Sequence, residues 1–114
     1  MFDTSSTLTD KDILQLAKQY VLQLFNQKQD GRIVYHNYPL TLEMLRYLEI
    51  IAESEALPAS MLEVTSLAVM FRNIGYLFDY RQPLQRSREL AKNFLRSQDY
   101  ATERLERVLK CLQE

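Results

Sequence analysis

The sequence predicts an all-α fold, a compact bundle of about five helices. Apolar residues recur at three- and four-residue intervals along most of the chain, which is the period of a helix face and not of a strand. Only two glycines and three prolines interrupt 114 residues, too few for the many tight turns of a β fold. Apolar residues make up 46% and charged residues 25%, a balance that buries one small core beneath a solvated surface.

The first helix starts at Thr9, a capping residue, with Asp12 in an acidic first turn. Ile13, Leu16, Ala17, Tyr20, Val21, Leu24 and Phe25 then carry it to about Lys28. Asp30-Gly31 marks a turn, and Ile33 to Tyr35 is too short to assign as a strand. Pro39 suits the first position of a second helix, because its missing N–H would go unpaired there in any case. That helix runs to about Glu55, with Leu42, Leu45, Leu48, Ile51 and Ala52 on its apolar face and Met44, Tyr47 and Ile50 widening it. Leu57-Pro58 breaks it.

A third helix extends from Ala59 to about Asn73. Met61, Leu62, Val64, Leu67, Ala68, Met70 and Phe71 make it apolar on most sides, so it is expected at the centre of the bundle. Pro83 opens a fourth helix that turns Leu84, Leu90, Ala91, Phe94 and Leu95 inward. A fifth spans Ala101 to Leu112. Its stripe is Ala101, Leu105, Val108, Leu109 and Leu112, with Glu103, Arg104, Glu106, Arg107 and Lys110 on the other side. Residues 9–114 therefore read as one helical domain, and residues 1–8 as a short flexible N-terminus.

Composition excludes several classes of function. The formal net charge is −1, so no global field draws the chain to nucleic acid or to a membrane surface. No apolar run approaches the roughly 18 residues that span a bilayer. The N-terminal decapeptide lacks the basic and apolar regions of a signal peptide. A single cysteine, Cys111, makes no internal disulfide, and a reducing, cytoplasmic setting is expected. There is no CxxC, no phosphate-binding glycine loop and no histidine besides His36, so thiol, nucleotide-loop and histidine-rich zinc chemistry lack a signature.

Four segments nevertheless belong together: YHNYPLTLEML, AVMFRNIGYL, RQPLQRSRELAKNFL and ATERLERVL. In order and spacing they resemble the HD-domain superfamily of metal-dependent phosphohydrolases, from about Ile13 to Leu112. The branch they are most similar to carries YHNxxHT, FHDxGY and HExxS motifs. Tyr35, His36, Asn37, Thr41, Phe71, Gly75, Tyr76 and Ser87 match it. The resemblance implies metal ligands at the histidine closing the first motif, at the His-Asp pair and at a distal aspartate. Here the first falls on Leu40, the pair falls on Arg72 and Asn73, and the distal position lies past Glu114. The later histidine and glutamate fall on Pro83 and Leu84.

Those departures remove the chemistry that the resemblance implies. Leucine and proline offer a hard cation nothing, and Arg72 would repel it. Without the ion no bound water falls toward a pKa of about 7 to become the nucleophile. The expectation is a catalytically inactive HD-like domain with no cofactor, no metal and a vestigial site of His36, Leu40, Arg72 and Asn73. It would act as a regulatory or protein-interaction module in signalling. A metal-independent sensor is the first alternative. Arg72, Arg81 and Arg86 would then grip a phosphorylated or nucleotide ligand, since a guanidinium binds phosphate without a metal. A fragment of a larger HD phosphohydrolase is the second alternative. As a plain packing residue, Arg72 would fill the vacated space and pair with Asp79 or another carboxylate, His36 would bond backbone near the helix start, and Tyr35, Tyr38, Tyr76, Phe78 and Tyr80 would pack.

The resemblance also implies further helices after the fifth. Leu105, Val108, Leu109 and Leu112 are therefore expected to stay partly uncovered and to form the interface of a homodimer or of a complex with a protein partner.

Overall fold

Five α-helices form where the three-four periodicity places them, in a computed structural model that describes residues 10–27, 34–72, 74–77 and 81–113. They are α1 (Asp10–Gln27), α2 (Val34–Glu55), α3 (Ala59–Arg72), α4 (Pro83–Ser97) and α5 (Thr102–Cys111), with a 3₁₀ turn over Ile74–Leu77 before α4. Among the described residues there is no strand. α3 packs against all four other helices, as its all-round apolarity requires.

Residues 1–9, 28–33, 73, 78–80 and 114 lie outside the described residues, so the expected Thr9 cap, the Asp30-Gly31 turn, Asn73 and Asp79 do too. α2 begins at Val34 and not at Pro39, which sits inside the helix. Proline there forfeits one main-chain hydrogen bond, and the turn before it is helical all the same.

α2 and α3 are joined by only three residues and pack on each other, so they run antiparallel, as do α4 and α5. Both joints use the same device. At the end of α2, Leu57 N–H donates to Ala52 O at 3.0 Å and Ala56 N–H to Glu53 O at 3.4 Å. At the end of α4, Tyr100 N–H donates to Leu95 O at 3.0 Å and Asp99 N–H to Arg96 O at 3.1 Å. Each is a Schellman closure that satisfies the orphan carbonyls of the last turn. The left-handed residue it needs is Ala56 in one case and Asp99 in the other, at φ 54° and 56°.

The core runs through Ala17, Val21 and Phe25 of α1, Leu67, Met70 and Phe71 of α3, Ala91 and Leu95 of α4, and Leu105 and Val108 of α5. Tyr20 stacks on Phe94 with ring centres 4.5 Å apart, and Phe71 meets both rings at 6.1 and 5.9 Å. These aromatic contacts tie α1, α3 and α4 together beyond the area they bury.

Candidate functional site

α2 and α3 extend similar distances from their shared turn, so Leu40 and Arg72 lie at the same end of the hairpin. Both are exposed, Leu40 by 44%. This corrects the expectation that Arg72 fills a vacated space. It closes α3, where a cation suits the negative end of the helix dipole and water solvates it. Among the described residues its guanidinium takes part in no hydrogen bond or ion pair. His36 lies in the first turn of α2, and its side chain, with those of Tyr35, Asn37, Tyr38 and Tyr76, lies outside the described part.

The scaffold side of the same end is well defined. Ser87 is fully buried in α4, and its hydroxyl joins two backbone groups. It donates to the Arg72 carbonyl at 2.9 Å and accepts from Gly75 N–H at 3.0 Å. One side chain thus satisfies the last carbonyl of α3 and the N–H that follows it into the 3₁₀ turn. Of the candidate anion-binding residues, Arg86 donates to Glu89 at 2.8 Å, so its charge is partly spent next door. Arg81 lies just before α4, exposed and not free of partners.

The fifth helix departs most clearly from expectation. Leu105, Val108 and Leu112 are buried within the chain itself and Leu109 is half-buried. They pack on α3 and α4, so this stripe is core and not an open interface. α5 needs no later helix to cover it.

A polar cluster lies where the helical periodicity gave no sign of one. Glu63, on the otherwise apolar α3, is 1% exposed. Tyr100 donates to its carboxylate at 2.5 Å, and Arg104 Nη1 donates to both oxygens at 3.0 and 3.2 Å. Arg104 therefore turns inward, not outward with the other charges of α5. Burial first, then the bond to Glu63 and its charge, push the Tyr100 phenol far above its ordinary 10.0, with Arg104 opposing. A lone acid in an apolar helix was the available signal.

The surface the fold leaves open is on α2. Thr41, Leu45 and Ala52 are buried and Leu48 is half-buried, one inward face at intervals of four, three and four. Tyr47, Ile50 and Ile51, expected on that face, are instead 61%, 59% and 51% exposed, and Leu42 is exposed too. Leu40, Met44, Tyr47 and Ile51 follow at intervals of four, three and four, so with Ile50 they form a second, outward stripe. The helix's charged residues, all exposed, are Glu43, Glu49, Glu53 and Glu55 against Arg46 alone. A second feature is a groove of about 370 Å³ between α3 and α5, lined by Met61, Val64, Thr65, Arg107, Lys110 and Cys111.

Among the described residues no set of acidic, histidine or cysteine side chains is grouped to hold a metal ion, and no helix is long and apolar enough to cross a membrane. No family model, no curated protein and no solved structure matches the chain. The likeness to HD domains rests on the motif residues alone.

Proposed function

We infer that the chain is a non-catalytic protein-interaction module on a degenerate HD-like scaffold, with a regulatory role in cytoplasmic signalling. The observation that carries this reading is the outward stripe of α2. Three large apolar side chains, each more than half exposed on one helix, are what a binding helix presents. The residues at the implied ligand positions, Leu40, Arg72, Asn73, Pro83 and Leu84, supply no anionic or imidazole donor, which accords with the non-catalytic part. Tyr47→Lys/Ile50→Lys tests the surface. Wild-type chain immobilised in a native extract should retain a saturable protein partner that the folded variant loses. Equal recovery by both overturns the reading.

One observation favours the sensor as a second reading: among the described residues the Arg72 guanidinium takes part in no hydrogen bond or ion pair. A panel of phosphorylated nucleotides tests it by melting temperature. At about 100 times its dissociation constant a ligand adds about 2.7 kcal/mol. A rise in Tm that Arg72→Ala abolishes selects the sensor, and no rise removes it.

A further inference from the structure

Resting on the reading of α2 as an interaction surface, we propose that the partner is a second copy of this chain, whose groove between α3 and α5 receives the α2 stripe. The chain carries both halves of such a contact. The stripe is apolar; at the helical period Glu43 and Glu55 lie beside it and Arg46 borders Ile50, on a helix whose exposed charges are four carboxylates against one guanidinium. The groove has an apolar floor of Met61 and Val64, and Met61 is 49% exposed. Its two charged lining residues are cations, Arg107 and Lys110, both exposed. Among the described residues neither is engaged in an ion pair or side-chain hydrogen bond, although Glu103 and Glu106 stand one turn before them on α5.

Stripe against stripe would set carboxylates against carboxylates, and groove against groove would set cations against cations. Stripe in groove pairs opposite charges around an apolar centre, the arrangement that gives both affinity and register. Formed twice about a twofold axis, stripe in groove closes an isologous dimer; formed once it is heterologous and leaves a stripe and a groove open to further copies.

Sedimentation of the full chain tests this. Wild type should run heavier than its 13.5 kDa as concentration rises into the high micromolar range, and less so in high salt. A stripe variant, Tyr47→Lys/Ile50→Lys, and a groove variant, Arg107→Glu/Lys110→Glu, should each associate at least about tenfold more weakly. All four side chains are exposed, so both variants should keep the helical spectrum of wild type. Should one lose it, Ile51→Lys or Lys110→Glu alone takes its place. Each variant retains the half that the other lacks, so an equimolar mixture should form a one-to-one complex. A wild type that stays monomeric, a groove variant that associates like wild type, or a mixture that stays monomeric overturns the proposal. A monomeric wild type that still holds a different protein through the stripe overturns the second copy and leaves the interaction reading standing.

Discussion

Gly75 and Ser87 are fitted to each other at the joint between α3 and α4. The Gly75 N–H reaches Ser87 Oγ at 3.0 Å, and a Cβ on residue 75 would stand 2.5 Å from that oxygen and 1.9 Å from the Pro83 carbonyl oxygen. The obstacle is backbone, which cannot swing aside as a side chain can. Gly75→Ala should therefore cost about 2–4 kcal/mol. Ser87→Ala, which strands the Gly75 N–H and the Arg72 carbonyl, should cost about 1–3 kcal/mol. Urea denaturation measures both. A loss under about 0.5 kcal/mol for Gly75→Ala would show that the close approach is not kept in solution.

Tyr100 should make stability fall in alkali. In the unfolded chain its phenol ionises near 10.0, whereas the folded chain holds the proton to higher pH. The unfolded state thus binds fewer protons above that value, so the contribution of Tyr100 is whole below pH 10 and declines as pH climbs past it. Tyr100→Phe should be less stable at neutral pH, having lost a bond to a buried carboxylate, yet show a shallower alkaline decline. Urea midpoints across the alkaline range read both effects. Parallel slopes would contradict the assignment.

Core and surface leucine-like positions should separate sharply. Leu105→Ala, on the buried stripe of α5, should cost about 2–5 kcal/mol. Ile50→Ala, on the open stripe of α2, should change stability by less than about 0.5 kcal/mol. Thermal unfolding distinguishes them. A comparable loss at Ile50 would mean that α2 is covered within the chain.

Ala56 holds a left-handed conformation at φ 54° where glycine is the usual residue. Ala56→Gly should stabilise the chain by up to about 1 kcal/mol, since relief of the Cβ penalty outweighs the entropy that glycine adds to the unfolded chain. The same change at Asp99 should gain less, because aspartate tolerates this region better. A destabilised Ala56→Gly would mean that the closure of α2 is looser than its hydrogen bonds indicate.

The five helices and the central place of α3 were legible because periodicity and all-round apolarity report directly on burial. The start of α2 was not, since Pro39 fits a first helical position so well that nothing pointed to the turn before it. Its faces were not legible either. Two apolar arcs share the helix, and the inner one includes Thr41, a polar residue that no apolar pattern places inside. The partners of Glu63 lie 37 and 41 residues further along, beyond the reach of any local pattern. Of the site that the resemblance implied, the sequence marked an end of the hairpin, but Arg72 turns to water because the last residue of a helix has solvent within reach.

The buried carboxylate of Glu63 also decides how the chain comes apart. Tyr100, just before α5, and Arg104, in its first turn, bond this carboxylate, so the departure of α5 strips α3 of both. An uncompensated buried acid costs about 3–5 kcal/mol, and somewhat less here because Arg104 is 39% exposed and water screens it. That is a large share of the free energy that holds so small a domain together. The last helix is therefore no detachable appendage. A chain cut before Tyr100 should melt throughout and not fray at one end, and in the intact protein amide exchange in α3 and α5 should proceed through one shared opening.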